Sequence, residues 1–418
     1  MDLPSKVRLS PLQQPVFYVP GITSEAADTT SKLLQENHEN HHIFFNHAEF
    51  HNHIAHHLLS LFALNATPTE LRQAWDGNRS YQRSPLPLEH SIVTQMHDLE
   101  KYKTYLGSEK YYHDFLVFFK EEISQKGWQT VLNDYVFNGD ELADDMLVRM
   151  FGGILHPIIH LAFGIEFEQP VIIAEALALA AVHDNYEASH LLQSEKAARP
   201  NSPDRGSEKT IVQLLEEIYT HAKQASGVRD KYASQVCVTE ENLEAKTAEM
   251  INAVGKLPIY FTGAAQHPPH QVRFDFWNIH AVNLSSFFCS FLRQSWLSIP
   301  NKIRLLEWKI RMDLVMYASP RPPRLLLDEI TNYKPRKDSS WEDIFKRVKR
   351  HYDDGHACKL VRALANGEQF CKKYEDKDGF VIKGDMWRKL GHMAIDSVEA
   401  GSPEWVRSGA WSSVPFRD

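Results

Sequence analysis

The sequence predicts an all-α protein, a single large multi-helix domain over residues 1–418 with a metal site buried between its helices. Apolar residues recur at helical spacing through most of the 418 residues. Strand-like alternation is confined to Val16–Val19 and to short stretches near Pro258 and Phe380. No repeat of solenoid length is present. The 43% hydrophobic content is sufficient for a sizeable core.

Helical periodicity is followed by end signals along the chain. The first long histidine-rich helix is predicted to end at Asn65, and Thr67, Pro68 and Glu70 form a helix start with a cap, a proline at the first position and a glutamate three residues on. The predicted helices cover residues 25–36, 51–64, 109–126, 140–164, 170–193, 208–226, 240–254, 273–298, 301–318, 341–351, 355–373 and 385–399.

One segment interrupts this pattern. Residues 194–208 are rich in Pro, Ser, Asn and charge, which predicts a loop or flexible insertion and a candidate domain boundary. Histidine motifs lie on both sides of the segment. A site that used them all would join the two parts of the chain, and we therefore expect one domain with a flexible excursion.

Composition excludes several classes of partner. A formal net charge of -8 and a pI near 6.3 give no reason to expect nucleic acid or an anionic membrane. Four widely spaced cysteines suit a reduced compartment, and Cys289 and Cys358 are expected in the core. The longest apolar run, Pro170–Val182, contains Glu175 and is too short to span a bilayer. Because the N-terminus also lacks a secretory apolar region, we expect a cytoplasmic protein.

The densest chemical signal is the run from His51 to His57, in a chain with 22 histidines. Histidine is the commonest metal ligand, so the run suggests a metal site. On a helix His53 and His57 lie one turn apart, and either could be a ligand. His51 and His56 are expected to be surface or capping residues.

Three sparser motifs follow. His156 and His160 lie in an apolar run that Pro157 must kink or restart, and a buried histidine there needs a partner such as a backbone carbonyl or a metal. His280 lies in a second apolar stretch, where Asp275 could orient it.

The fourth motif places Lys359 three residues after His356 on one face of a helix. The simpler interpretation is a lysine whose amine reaches solvent. Buried beside metal-bound imidazoles, the amine would instead be neutral and could react with carbon dioxide to form a carbamate, an anionic ligand.

Missing motifs narrow the chemistry further. The chain has no GxGxxG after a strand, no Walker loop, no HExxH and no GxSxG. It therefore offers no recognisable site for a flavin or nicotinamide cofactor.

With these motifs assembled, the chain resembles the questin oxidase-like family over nearly its whole length. The resemblance rests on four segments in order: Asn52-His53 with the following Ala-His-His-Leu-Leu, Gly153-Ile-Leu-His156-Pro, Phe274-Asp-Phe with His280, and Asp354-Gly-His356-Ala-Cys-Lys359.

The resemblance implies a mononuclear non-haem iron oxygenase of fungal secondary metabolism, whose substrates would be an aromatic polyketide of the anthraquinone type and dioxygen. It implies Fe(2+) held by His53, His156, His280, His356 and N-carboxylated Lys359, which favours His53 over His57 and His156 over His160. The reaction would open a ring carbon–carbon bond.

Three alternatives stay open. A Baeyer–Villiger-type oxidase of the same substrates would need NADPH. Histidines with a carbamylated lysine also build binuclear metal-dependent hydrolase sites, although these usually occupy β/α barrels, for which strands are lacking. A helical carrier of a hydrophobic metabolite would hold no metal. The oligomeric state is not predicted.

Overall fold

A computed structural model describes residues 6–198, 209–221, 232–253, 260–318, 322–407 and 410–417. It confirms the all-α class. The strands of these residues are two-residue pieces, β1 (Phe274–Asp275) and β2 (Trp405–Val406), which pair in parallel with Phe274 opposite Trp405.

The chain divides into two compact units. The first comprises Met1–Ala188 with the short segment Tyr352–His356, and the second comprises Ser189–His351 with Ala357–Asp418. The assignment of residues 1–418 to one domain stays a prediction.

The first unit contains ten α-helices among its described residues. They are α1 (Ser24–Asn40), α2 (Ile54–Ala63), α3 (Pro68–Arg79), α4 (His90–Gln95), α5 (Leu99–Tyr105), α6 (Tyr112–Lys126), α7 (Trp128–Leu132), α8 (Glu141–Met150), α9 (Gly152–Glu166) and α10 (Pro170–Val182).

The remaining helices belong mainly to the second unit. They are α11 (Ala188–Ala197), α12 (Ile211–His221), α13 (Leu243–Ala253), α14 (Tyr260–Ala264), α15 (Phe276–Ser285), α16 (Phe288–Arg293), α17 (Ile299–Ala318), α18 (Asp328–Thr331), α19 (Trp341–Val348), α20 (His356–Cys371) and α21 (Met386–Glu399). Helix α20 begins at the last residue of the Tyr352–His356 segment.

The centre of the first unit is helix α10, which packs against α6 and α9. Every residue from Val171 to Val182 is buried, as expected for a helix that is apolar on all sides. Glu175 is the single acidic residue of this helix. Because its side chain is only 5% exposed, Glu175 needs hydrogen-bond or charge partners inside the protein.

Several predicted elements are confirmed and others are divided. Thr67 and Glu70 form the predicted reciprocal cap at the start of α3. The predicted helix over 170–193 is wrong as one element, because it stops at Val182 and a second helix starts at Ala188. The predicted helix over 273–298 is likewise divided between α15 and α16.

The structure differs in part from the predicted insertion and strands. Ser194–Ala197 continue α11, so the insertion over 194–208 is wrong for its first residues, while residues 199–208 lie outside the described ones. Val16–Val19 and the stretch near Phe380 form no strand, and Pro258 is not described. The cysteines Cys289 and Cys358 are buried as predicted.

No single helix in the described ranges is long and apolar enough to cross a membrane. One pair of helices, Glu141–Met150 with Gly152–Glu166, has the combined length and composition of a membrane-spanning segment, but the two helices meet at a bend of 97°. The described residues form no alternating β/α barrel, which removes the fold expected for the hydrolase alternative.

Candidate metal centre

His53 precedes the first turn of α2, where local hydrogen bonds fix its position. The side chain of Asn52 accepts a hydrogen bond from the backbone N–H of Ile54 at 3.0 Å and donates one to Asn37 Oδ1 at 2.9 Å. His53 itself is the N-cap residue, with φ -94° and ψ 2°. The imidazole is buried, so its nitrogens need defined partners.

His156 follows an unusual backbone turn. Gly153, Ile154 and Leu155 all have positive φ, between 51° and 66°, inside the segment Gly152–Glu166. Such a conformation is unfavourable for Ile and Leu, and strain of this kind concentrates at functional sites. The turn places the Nδ1–H of His156 on the carbonyl oxygen of Gly153, at 2.5 Å. The predicted irregularity before Pro157 is therefore confirmed.

The segment before α20 brings a carboxylate to two histidines. Asp354 Oδ2 accepts a hydrogen bond from His53 Nδ1 at 2.8 Å, and Asp354 Oδ1 accepts a short one from His356 Nδ1. Gly355 makes this possible with φ +95°, and a Cβ there would lie 2.6 Å from the Cβ of His57. Only glycine accepts both the backbone angle and this close approach.

The charge of Asp354 follows from these contacts. Its burial alone would raise the pKa of the carboxyl. The charges of His356 and His53, together with their hydrogen bonds, hold that pKa well below its ordinary value. Asp354 is therefore an anion that fixes both imidazoles with the Nδ1 proton directed toward it.

The first two histidines face each other through their other nitrogens. The Nε2 atoms of His53 and His156 lie 2.7 Å apart. Both Nδ1 atoms act as donors, to Asp354 and to the Gly153 carbonyl, so in their neutral form the two rings direct their Nε2 lone pairs toward one another. A cation bound by both nitrogens would remove this repulsion, so the geometry fits a metal ion.

His280 has the same local arrangement on another helix. Its Nδ1–H donates to the carbonyl oxygen of Phe276 at 2.7 Å, one turn earlier in α15, and its ring is fully buried. The Asp275 carboxylate caps α15 by accepting from the backbone N–H groups of Trp277 and Asn278, and its suggested role in orienting His280 stays a prediction.

Four buried histidines meet the distance requirement for one metal ion. His53, His156, His280 and His356 each offer one nitrogen, and these four atoms lie within 4.8 Å of one another. Each of the four also has its Nδ1 engaged by a carboxylate or a backbone carbonyl, the support typical of histidine ligands. The cluster could therefore bind a metal ion.

Lys359 is the last predicted ligand. It lies three residues after His356 in α20, and it is 4% exposed. The simpler interpretation of a solvent-reaching lysine is therefore wrong. The ligand roles of the four histidines and of Lys359 stay predictions.

The prediction that His51 and His56 are surface or capping residues is wrong, because both are buried. His51 is buried, its ring stacks on that of His156 with centroids 3.8 Å apart, and its Nε2 lies 2.8 Å from Nε2 of His183. His56 is also buried, and its Nε2 lies 3.1 Å from Nδ1 of His160. The sequence signal for this inner position was the apolar character of the helix around His56.

Comparison with known proteins gives one consistent result. Residues 50–364 match the family described as Questin oxidase-like. The chain is 37% identical to the Baeyer-Villiger oxidase GME11358 of Pestalotiopsis microspora, with 95% of each chain covered. It is 37% identical to the Oxidoreductase AflY of Aspergillus parasiticus, covering 97% of this chain and 86% of that protein. Identity to a Questin oxidase of Aspergillus fumigatus is 33%, covering 93% and 94%.

Proposed function

This chain belongs to the questin oxidase-like family, and from that membership we propose that it is a non-haem iron-dependent oxygenase of fungal secondary metabolism. Its substrates would be dioxygen and an aromatic polyketide of the anthraquinone type, in which a ring carbon–carbon bond is opened. The names of its relatives, questin oxidase among them, support an oxidase acting on such compounds.

The observation that carries the metal proposal is the pair of facing nitrogens on His53 and His156, within the group of four histidines. We propose that these two residues, His280, His356 and N-carboxylated Lys359 hold the ion. Four neutral imidazoles and one carbamate would give five ligands and one negative charge, in place of two histidines and a carboxylate. Bound there, Fe(2+) would supply the activation of dioxygen.

The residues of the chain have separate tasks in this proposal. Asp354 keeps His53 and His356 in the tautomer that presents Nε2, and the carbonyl oxygens of Gly153 and Phe276 do the same for His156 and His280. The side chains of these four histidines are buried, so a bound phenolic ring system would be oriented in a site of low dielectric. No pocket residue is assigned to the substrate.

The carbamate on Lys359 would form without an enzyme of its own. The neutral amine adds to carbon dioxide, an N–C bond forms, and one amine proton leaves to solvent. Burial of the lysine favours the neutral amine that this step needs.

Elemental analysis and one variant test the proposal. We expect about one iron per purified wild-type chain and oxygen uptake with at least one member of a panel of hydroxyanthraquinones, questin included. His280→Ala should lose both. His392→Ala is the matched control, because His392 is equally buried but outside the four-histidine group. Iron and full activity in His280→Ala would remove His280 from the site.

A second candidate is favoured by a specific observation, the name Baeyer-Villiger oxidase carried by several relatives. Such an enzyme would insert one oxygen atom beside the ring carbonyl and use NADPH as reductant. Turnover in 18O-labelled dioxygen separates the two: two labelled atoms in the ring-opened product support the dioxygenase, whereas one labelled atom and NADPH consumption support the monooxygenase. Two zinc ions per chain would indicate the hydrolase, and no metal the carrier.

A further inference from the structure

The second unit contains a cavity of about 520 Å³, a volume in the range of small-molecule sites. Its wall is formed by the residues before β1, by helix α18 with the residues that follow it, by the end of α21 and by Arg417. None of the proposed metal ligands lines it. The charged side chains of the wall are Arg273, Lys334, Arg336, Arg417, Asp328, Glu329 and Asp396.

Two of the carboxylates in this wall already have a cationic partner. Glu329 Oε2 lies 2.5 Å from Nη2 of Arg417. Asp396 Oδ1 lies 2.5 Å from Nη2 of Arg347, and Asp396 Oδ2 accepts a hydrogen bond from the Tyr333 hydroxyl at 2.8 Å. The charges of Glu329 and Asp396 are therefore balanced by these partners.

Arg273 is a buried cation whose hydrogen-bond acceptors are all neutral. Its side chain is 1% exposed. Nε donates to the Pro403 carbonyl at 2.7 Å, and Nη1 donates to the Val272 carbonyl at 2.8 Å. Nη2 donates to Gln271 Oε1 at 3.1 Å and to the Gly401 carbonyl at 3.3 Å. These bonds use four of the five guanidinium N–H groups, so one N–H and the whole positive charge are left for a ligand.

Arg336 brings a second guanidinium group to the same cavity. Burial, and then the charge of Arg336, lower the pKa of Arg273, so the two guanidinium groups lie close enough to repel each other. The side chains of Arg336 and Lys334 are exposed, and neither forms an ion pair with a described residue. The carboxylate left in the wall to balance these three cations is that of Asp328. The cavity therefore has an excess of two positive charges, and a bound anion would relieve their repulsion.

We propose that this cavity binds a small organic molecule that carries a phosphate group. A phosphate ester has close to two negative charges at neutral pH, which matches the excess positive charge of the wall. Arg336 can hold two phosphate oxygens through parallel N–H bonds, and Arg273 adds its remaining N–H. The cavity is larger than a phosphate ion needs, so an organic part of the ligand has room beside Tyr333.

Isothermal titration calorimetry of the whole chain with phenyl phosphate tests the proposal at constant ionic strength. Phenyl phosphate should bind at one site per chain. Benzoate has a similar ring with half the charge and should bind about 10-fold more weakly. Arg336→Gln should weaken the binding of phenyl phosphate by about 10- to 100-fold, the usual contribution of hydrogen bonds to a charged group. Arg336 is chosen because Arg273→Gln would also remove the bonds to Gly401 and Pro403 that support the local fold.

Two further variants locate the binding. Lys337→Gln is the matched control, because it removes one positive charge from an exposed side chain next to Arg336 but outside the cavity. It should bind phenyl phosphate as wild type does. Asp328→Asn should act in the opposite direction, since it removes a carboxylate that repels the ligand. We expect its affinity to rise by about 2- to 5-fold, as is usual for an exposed charge.

The measurement needs neither iron nor turnover, so its outcome is separate from that of the proposed function. Phenyl phosphate that does not bind at millimolar concentration would overturn the proposal. Wild-type affinity in Arg336→Gln would do the same, as would an equal loss in Lys337→Gln, which would indicate general attraction to a basic surface. Phthalate, a dicarboxylate of equal charge, should bind more weakly; equal affinity would assign the cavity to carboxylates and overturn the phosphate assignment.

Discussion

Asp354 serves two candidate ligands with one carboxylate. It accepts from Nδ1 of both His53 and His356, which belong to segments more than 300 residues apart in the chain. One side chain thus sets the tautomer of half the histidine group. Supporting residues of this kind fix the orientation of the ligand rings and raise their basicity.

Asp354→Asn should therefore weaken metal binding by about 10- to 100-fold, the usual cost of losing an orienting carboxylate. An amide can still accept at its oxygen, but its NH₂ group would oppose one imidazole N–H. Titration of the metal-free protein with Fe(2+) under anaerobic conditions measures the change. Asp76→Asn, at an exposed helical ion pair, is the control and should bind as wild type does. Equal affinity in both variants would refute the role of Asp354.

The proposed carbamate on Lys359 requires carbon dioxide, and this requirement can be tested. Lys359→Ala should lose iron and activity, and Lys359→Arg should be inactive because a guanidinium cannot form the carbamate. Added bicarbonate should speed reconstitution of the wild-type metal-free protein with iron, followed by oxygen uptake. Full activity of Lys359→Arg, or a reconstitution rate that does not change with bicarbonate, would refute the proposed carbamate.

At the scale of the elements, three candidate ligands lie at helix starts. His53 is the N-cap residue of α2, His156 follows the left-handed turn within α9, and His356 is the first residue of α20. Side chains at such positions leave the regular helical spiral. Their directions are therefore set by the preceding turn and less by residue spacing along the helix.

Gly355→Ala tests the turn before α20. The added methyl group would meet the Cβ of His57 at 2.6 Å and would require φ +95° of an alanine. We expect about 2–4 kcal/mol of lost unfolding free energy, from the backbone angle and the overpacking together, and reduced iron content. Gly139→Ala is the control, because Gly139 also has positive φ (+82°) but open space around its Cβ position.

Chemical denaturation and elemental analysis measure both variants. Gly139→Ala should show only the backbone part of the loss and keep its iron. If the two variants lose the same free energy and both keep iron, the close approach to His57 does not hold Asp354 and His356 in place.

The helices and turns differ in how well the sequence alone predicts them. Helical periodicity correctly placed α1, α17 and α21, and the cap at Thr67, because these depend on local spacing and local hydrogen bonds. The irregularity before Pro157 was predicted, but its left-handed form at Ile154 and Leu155 was not, since left-handed Ile and Leu are set by tertiary packing. Asp354 was visible as a neighbour of His356, but its bond to His53 joins distant segments. Likewise, the apolar residues around His56 indicate burial, but nothing local indicates that its partner is His160.

At the scale of the whole molecule, buried histidines make stability depend on pH. Burial, and then the charge of Arg83, lower the pKa of His42 from 6.5 to about 4. Its imidazole is neutral in the folded protein, while the unfolded chain takes up a proton at higher pH. The contribution of His42 is thus fully present above pH 6.5 and is lost as the pH falls toward 4.

His42→Gln isolates this contribution. The difference in unfolding free energy between wild type and variant should shrink by about 3 kcal/mol between pH 7 and pH 4. Urea denaturation at several pH values measures it, with His90→Gln, a change at an exposed histidine, as control. A difference that is constant with pH would show that His42 already titrates normally in the folded protein.

Helix α20 has a further consequence for the chemistry at its first residue. Aligned peptide dipoles give the N-terminus of a helix a partial positive charge of roughly half a proton. His356 opens this 16-residue helix, so the field there favours anions and opposes a bare dication. A ferrous ion would thus need negative companions close by, and ionised phenols should bind more tightly than their methyl ethers.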